Sequence, residues 1–260
     1  MQEAETRRDR RRPPRRRVTV AGVIGELLVT AGVLVLLFVA WQLWIGDIII
    51  GAQFKDEARS ITQEWATQQP TEPASPAPSS SAAPSTTAPV TADPPALPQP
   101  GNGQVFGVIH IPRFGPDYQF RVAGGVSSSV TLDPIGIGHY PGTAMPGQQG
   151  NFALAGHRGS HGAPFADLPA LHVGDAIVIE TQDGWYTYRF RNLEYVRPQQ
   201  TEVLLPLPQT PGGDDSGRLL TMTTCSPRYG FSERAIAYGV FESYTPRSAG
   251  PPASLTLGAA

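Results

Sequence analysis

The strongest constraint on the fold is an uncharged, apolar run of nineteen amino acids at residues 27–45. A helix of that length measures roughly 28 Å, close to the about 30 Å thickness of the hydrocarbon core of a bilayer. Trp41 and Trp44 stand at its C-terminal end, where aromatic rings favour the membrane–water interface. A cleaved signal peptide would have a shorter apolar region that ends in a small-residue cleavage site. The apolar run here is longer, and the sequence WQLWIGDIII at its end contains no such site. The run therefore predicts one transmembrane helix.

The charge distribution predicts the orientation of that helix. The tail at residues 1–26 carries eight arginines and three acidic residues within its first 17 positions, a net charge of +5, while the whole chain carries −2. A basic cluster can bind nucleic acid, but beside a membrane span it indicates the cytoplasmic side. We therefore expect a single-pass protein of the cell membrane, with a cytoplasmic N-terminus, an extracellular body and no nucleic-acid partner.

Residues 46–103 are predicted to be an extracellular juxtamembrane segment followed by a linker. Phe54, Ile61 and Trp65 recur at roughly helical spacing, which indicates a short amphipathic helix after the membrane. Residues 70–100 then contain ten prolines among 31 residues, together with many Ser, Ala and Thr. Such a composition cannot bury a core and is typical of a disordered spacer.

Residues 104–245 are predicted to form the folded domain, followed by a C-terminal tail at residues 246–260. The domain consists of short apolar or alternating runs that are separated by Gly, Pro, Asn and Asp, a pattern typical of a mostly-β barrel or sandwich. Short helices are indicated only at residues 128–133 and 163–171. The runs that indicate strands are residues 105–111, 118–122, 151–155, 176–181, 186–196, 219–225 and 235–244.

Cys225 is the single cysteine of the chain. Outside the cell it has no partner for an intramolecular disulfide, so it is either a buried apolar side chain or a useful thiol. A nucleophilic thiol needs a base and a donor for the charge that develops on the attacked carbonyl. Arg234 opens the last strand-like run and is the candidate donor.

Five histidines are candidates for the base. His157 follows the apolar run NFALAG, at a position where a side chain can project into the mouth of a barrel. His110 lies inside a strand-like run and His172 lies in a turn, while His139 and His161 are weaker alternatives. Spacing alone leaves open whether His157, Cys225 and Arg234 act together.

Two segments carry a family resemblance. GHYPGTAMPGQQGNFALAGHRGSHGAPF and TMTTCSPRYGFSERAIAYG resemble the histidine and cysteine segments of sortases, the membrane-anchored cysteine transpeptidases of Gram-positive bacteria. HYPGTAMPGQ and the nine-residue interval from Cys225 to Arg234 are similar to the class E branch, which is found in actinobacteria. Lys55 is the only lysine, and this preference for arginine suits a GC-rich genome.

The resemblance implies a sortase-like eight-stranded β-barrel and assigns three roles. Cys225 is the nucleophile, His157 the general acid and base, and Arg234 the oxyanion donor. The implied reaction cleaves an LAXTG-like sorting signal of a secreted protein between Thr and Gly, through a thioester. The amine of a peptidoglycan precursor then receives the protein. The implied partners are thus these secreted proteins, the precursor amine and membrane lipid.

The resemblance also suggests Tyr140 and Thr224 as substrate-binding residues. Pro141 and Gly142 fix a turn beside Tyr140, so its ring would narrow the pocket for the second signal residue and favour Ala over Pro. The alternative is an aromatic side chain that caps the barrel core. His161 departs from the family pattern, in which a hydroxyl or aromatic residue is more usual, and this leaves the choice of working imidazole open.

Two other classes of function compete with this interpretation. One is a non-catalytic, membrane-tethered wall-binding module with a buried cysteine. The other is a different extracellular cysteine peptidase. Papain-like enzymes place the cysteine before the histidine, whereas His157 precedes Cys225 here. L,D-transpeptidases carry His and Gly directly before the cysteine, where this chain has two threonines.

The sequence predicts neither a metal site nor a cofactor. The carboxylates are scattered, as at Asp167, Asp175, Asp183 and the pair Asp214 and Asp215, without the dense oxygen cluster that calcium needs. The C-terminal sequence PPASLTLGAA is too short for a second membrane segment, which favours a housekeeping role over pilus building.

Overall fold

The computed structural model describes residues 19–41, 46–68, 93–213 and 217–256. The chain divides into two compact units, Met1–Gln42 and Leu43–Ala260. The first unit contains helix α1, Val20–Ala40, whose start is capped by the Thr19 hydroxyl as it accepts a hydrogen bond from the amide of Gly22. The helix is long and apolar enough to cross a membrane. It begins earlier than the predicted span, and Trp44 lies outside the described residues.

Eight strands of the second unit close into a barrel, as predicted. Their order around it is β1, β2, β3, β4, β7, β8, β6 and β5, with β5 pairing back to β1. The pairs β2–β3 and β4–β7 are parallel and the others are antiparallel. The strands are β1 Val105–His110, β2 Gln119–Gly124, β3 Ile137–His139, β4 Gly150–Gly156, β5 Ala176–Glu180, β6 Gly184–Val196, β7 Arg218–Ser226 and β8 Glu233–Pro246.

Short helical turns connect the strands. Two of them fall within the regions where the sequence indicated helices, although the second is much shorter than expected. A further helix, α3, covers Ala253–Thr256 near the C-terminus. The turns are Pro112–Phe114, Ser128–Leu132, Leu168–Ala170, Thr201–Leu204 and Arg247–Ala249.

The neighbouring strands β4 and β7 are buried on both faces along most of their length. Every residue of β4 is buried, as is most of β7. Phe152 and Leu154 of β4 join Leu220 and Met222 of β7 in the main core cluster. Because side chains alternate along a strand, the intervening residues face outward, where loops cover them. The outer face of this pair of strands is therefore covered by connecting loops.

Helix α2, Gly46–Thr67, packs against the barrel as part of the second unit. Phe54 and Ala58 are buried, and Phe54 belongs to the main core cluster together with Phe120 of β2. Glu57 forms an ion pair with Arg121 of the same strand. The helix predicted from the spacing of apolar residues is therefore present, and it is longer than the pattern suggested.

Residues 93–103, which the sequence assigned to the linker, run along the barrel. Leu97 packs against the main core cluster. The Gln99 side chain donates to the carbonyl of Thr143 at 2.7 Å, and the Gln148 side chain donates to that of Pro95 at 3.4 Å. The end of this segment therefore supports the loop between β3 and β4. The rest of the predicted spacer, residues 70–92, lies outside the described residues.

Candidate active site

The strand register brings together three residues that the sequence singled out. In the parallel pair β4–β7, Asn151 lies opposite Leu219 and Ala155 lies opposite Thr223. The same offset places His157, the next outward position after Ala155, beside Cys225. In the antiparallel pair β7–β8, Cys225 lies opposite Arg234. The imidazole, the thiol and the guanidinium therefore come from adjacent positions at one end of three neighbouring strands.

Cys225 is a free, half-buried thiol at the end of β7. The residue before it, Thr224, is buried, and its hydroxyl donates to the carbonyl of Gly156 at 2.8 Å. Thr224 alternates with Cys225 and shares the inward face with Met222. Its hydroxyl ties the ends of β4 and β7 together, and its role as a substrate-binding residue stays a prediction.

His157 is oriented by Asp133, a residue that sequence reasoning missed. The distance between His157 Nε2 and Asp133 Oδ1 is 2.8 Å. Because an ionised carboxylate can only accept, Nε2 carries a hydrogen and Nδ1 is the ring nitrogen left for proton transfer. Asp133 directly follows the helical turn Ser128–Leu132. Nothing in the sequence pattern indicates that it meets a histidine 24 residues later.

His161 lies against the same pair of residues. Its ring centroid is 4.9 Å from that of His157, and its Nδ1 is 3.9 Å from Asp133 Oδ1. Its backbone φ of 51° is in the left-handed region, which is uncommon for residues other than glycine. His161, the weaker candidate for the base, therefore lies next to His157, the stronger candidate.

Arg234 is half-buried, and its Nη1 donates to the carbonyl of Phe231 at 3.1 Å and to that of Glu233 at 2.9 Å. These bonds hold the β7–β8 loop against the start of β8. Among the described residues, the guanidinium forms hydrogen bonds through Nη1 alone. The other donors of its planar fork are therefore available to a substrate.

Tyr140 stands beside this row of residues. Its hydroxyl lies 2.9 Å from Thr223 Oγ1, on the strand that carries Cys225. Burial raises the pKa of the Tyr140 phenol above its usual value, the hydrogen bond with Thr223 and the charge of Arg234 lower it, and Cys225 raises it. The side chain is half-buried and is not a member of the main core cluster.

The other three histidines lie away from Cys225. His139 is buried and stacks on Phe152 with ring centroids 5.2 Å apart, and burial lowers the pKa of its imidazole. His110 Nε2 lies 2.9 Å from a carboxylate oxygen of Glu180. His172 is exposed in a turn. Their surroundings indicate structural or surface positions.

Two connections cover the outer face of β4 and β7. The side-chain amide of Asn151 donates to the carbonyls of Val203 and Leu205, each at 3.1 Å, and its oxygen accepts from the hydroxyl of Thr221 at 2.8 Å. These bonds fasten the β6–β7 connection over β4. A cavity of about 250 Å³ lies between this connection and the β3–β4 loop, where Thr143 and Leu204 are among its lining residues.

The arrangement contains the elements of acyl transfer by a thiol. Cys225 can attack a carbonyl carbon, His157 can exchange a proton, and Arg234 can donate hydrogen bonds to the oxygen that becomes negative.

Comparison with known proteins finds similar proteins that belong to one family. The family model described as "Sortase domain" matches residues 109–242. Sortase SrtE1 of Streptomyces coelicolor is 36% identical over 255 residues, which are 96% of this chain and 65% of that protein. Sortase SrtE2 of the same organism is 30% identical over 238 residues, which are 89% of this chain and 86% of that protein.

A solved structure with the same fold holds a ligand. The crystal structure of Sortase E1 from Streptomyces coelicolor with a tripeptide in the active site is 38% identical, with a TM-score of 0.55. The match covers 60% of this chain and 99% of that one.

Proposed function

Because this chain belongs to the sortase family, whose members are cysteine transpeptidases, we propose that it catalyses transpeptidation with Cys225 as the nucleophile. One observation carries the proposal. The support is the strand register, in which Cys225 lies opposite Arg234, and Ala155, two residues before His157, pairs with Thr223, two residues before Cys225. A merely buried cysteine would not require these two neighbours, and Cys225 is half-buried rather than packed inside the barrel.

The proposed reaction has two acyl-transfer steps. Cys225 Sγ attacks the carbonyl carbon of the Thr in the sorting signal, and the C–N bond to Gly breaks as His157 gives a proton to the leaving amine. The product of this step is a Thr thioester on Cys225. An acceptor amine then gives a proton to His157 and attacks the thioester. The new amide bond forms as the Cys225 thiolate leaves, which restores the enzyme.

His157 exchanges protons through Nδ1 in this scheme, since Asp133 accepts from Nε2. The carboxylate fixes the plane and the tautomer of the ring. Asp133 is therefore a positioning residue for His157. Thr224 is also a positioning residue, because its hydroxyl bonds the backbone of β4 at Gly156 and so holds the end of β7 in place.

The substrates proposed are secreted proteins with an LAXTG-like signal, and the acceptor is an amine of a peptidoglycan precursor. The support is the similarity to class E sortases of an actinobacterium. Helix α1 suggests that the protein is anchored in the cell membrane by a single span. The arginine-rich tail would then be cytoplasmic and the barrel extracellular.

The test uses the full chain in detergent micelles, an LAXTG peptide and an excess of a small amine. We expect cleavage between Thr and Gly, and the amine joined to the new Thr carboxyl end, as identified by mass spectrometry. Cleavage at another bond would contradict the proposed signal. An intact peptide would instead favour a non-catalytic binding module.

Arg234→Lys is expected to lower kcat while leaving the fold intact. A lysine keeps the charge but loses the planar fork, and removal of one oxyanion donor costs about 2.7–4 kcal/mol in other acyl-transfer enzymes. Peptide cleavage rates and circular dichroism measure the two effects. Arg228→Lys is the matched control, because Arg228 is exposed in the β7–β8 loop and its guanidinium lies over Tyr229. Equal rates for Arg234→Lys and the control would show that Arg234 has only a surface role.

Tyr140 is proposed to set the preference for the second residue of the signal. Its hydroxyl is hydrogen-bonded to Thr223, two residues before Cys225, and its ring adjoins the turn at Pro141 and Gly142. In this proposal the ring narrows the space in which the second signal residue binds. A small Ala in the signal fits such a space better than the bulkier Pro of LPXTG.

Tyr140→Phe and Thr223→Val are each expected to weaken kcat/KM for LAXTG by about 0.5–1.5 kcal/mol, the usual net value of a hydrogen bond. Because the two changes remove the same bond, the double variant should lose little more than either single variant. Tyr140→Ala should bring the values of kcat/KM for LAXTG and LPXTG closer together. An unchanged ratio combined with a lowered Tm would place Tyr140 in the core instead.

A further inference from the structure

Three side chains beside the nucleophile form a set of metal ligands that the sequence analysis did not anticipate. One ligand atom from each of Asp133, His157 and His161 lies within 4.8 Å of the other two. The side chains are 35%, 21% and 45% exposed, so an ion can reach them from solvent. The sequence predicted no metal site because its carboxylates are scattered, but here the ligands are mainly imidazoles.

The donor set and its spacing fit Zn²⁺. Two imidazole nitrogens and one carboxylate oxygen, with one open position, are the pattern of open zinc sites in proteins. Ligand atoms about 2.0–2.2 Å from a tetrahedral ion are separated from one another by roughly 3.4 Å. The observed separations from Asp133 Oδ1 are 2.8 Å to His157 Nε2 and 3.9 Å to His161 Nδ1. Small side-chain rotations would bring both to the required value.

The loop that carries His161 is held from two sides. A Cβ atom on Gly159 would lie 2.2 Å from the carbonyl oxygen of Arg228, so this part of the loop lies directly against the β7–β8 loop. On the other side, a Cβ atom on Gly51 of α2 would lie 3.2 Å from the carbonyl oxygen of Gly162. This packing supports the left-handed backbone of His161. The third ligand is therefore positioned before any ion binds.

We propose that Asp133, His157 and His161 bind Zn²⁺ and that the bound ion reversibly inactivates the enzyme. The ion replaces the proton on His157 Nε2, which Asp133 holds in the free protein. A ring that binds zinc through Nε2 keeps its remaining proton on Nδ1, so it cannot accept a proton from the acceptor amine. The inhibition rests on the proposed function, whereas the binding of zinc does not.

Zinc binding is tested on the full chain in detergent micelles, without a polyhistidine tag and in the Cys225→Ala background, which removes the thiol as a ligand. We expect calorimetric titration to show one Zn²⁺ per chain, and Co²⁺ to give the visible absorption of a four-coordinate site. His161→Gln should weaken affinity by at least about tenfold. His172→Gln, which changes an exposed histidine outside the cluster, should leave affinity unchanged. No binding in the Cys225→Ala background, or equal affinity with His161→Gln, would overturn the site.

Inhibition is tested with Cys225 present, by measuring peptide cleavage at increasing Zn²⁺ and normalising each variant to its own rate in a chelator. The rate of the wild type should fall and recover when the chelator is added. His161→Gln should need at least about tenfold more Zn²⁺ for half inhibition, while His172→Gln should match the wild type. Equal sensitivity of His161→Gln and the wild type would overturn the proposed inhibition. Absence of cleavage in the chelator would contradict the proposed function and leave the binding result standing.

Discussion

Cys225→Ala is expected to abolish cleavage of the LAXTG peptide, down to the rate of the uncatalysed reaction. The methyl group cannot form the thioester, and no other cysteine is present to replace it. The fold should survive because the change removes a single sulfur atom from a half-buried site. Cleavage is followed by liquid chromatography, and folding by circular dichroism and Tm.

Ser226→Ala is the matched control for this experiment. It also removes one heteroatom from the end of β7, where the Ser226 hydroxyl accepts a bond of 3.3 Å from Arg158. The control should retain most of the activity. Residual turnover by Cys225→Ala above the uncatalysed rate would mean that another group is the nucleophile.

His157→Gln should lower kcat by roughly 10²–10⁴, the usual contribution of a general acid and base. Asp133→Asn should lose less, because it keeps the imidazole and replaces a hydrogen bond to a charged group, worth about 1.5–3 kcal/mol, by one between neutral groups, worth about 0.5–1.5 kcal/mol. That loss should appear in kcat with KM nearly constant. Steady-state kinetics in a chelator, which keeps metal ions out of the comparison, measure both parameters.

His161→Gln should cost far less than His157→Gln in the same assay, because His161 enters the site only through its contacts with His157 and Asp133. His172→Gln is the control, because it shows how much the loss of an exposed histidine outside the site lowers kcat. If the effects of His157→Gln and His161→Gln were reversed, His161 would be the working imidazole.

Most strands of the barrel could be predicted from the sequence, because they are long enough to show an apolar or alternating pattern. The runs at residues 186–196 and 219–225 correspond closely to β6 and β7. β3 was missed, since a strand of three residues shows no alternation. The resemblance implied a barrel of eight strands, but the order in which they pair is seen only in the structure, because local patterns do not specify which strands pair.

The sequence pointed to candidate site residues only where their position at the end of a strand made them candidates. His157, Cys225 and Arg234 stand at strand ends, which sequence patterns reveal. Asp133 contacts His157 through the packing of a loop, and no local pattern encodes that contact. Thr224 shows a related limit, since alternation alone does not say which face of β7 carries the nucleophile. The bond from its hydroxyl to the carbonyl of Gly156 joins residues 68 positions apart and is seen only in the structure.

The central claim is that catalysis proceeds through a thioester on Cys225. The most direct measurement is the intact mass of the full chain after rapid acid quenching of a reaction with the LAXTG peptide and no added amine. We expect a new species heavier by the peptide portion that ends in Thr, and fragmentation should place that addition on Cys225. Hydroxylamine should remove it, and Cys225→Ala should never form it. Cleavage of the peptide by an enzyme that carries no such adduct, or an adduct on another residue, would contradict the account.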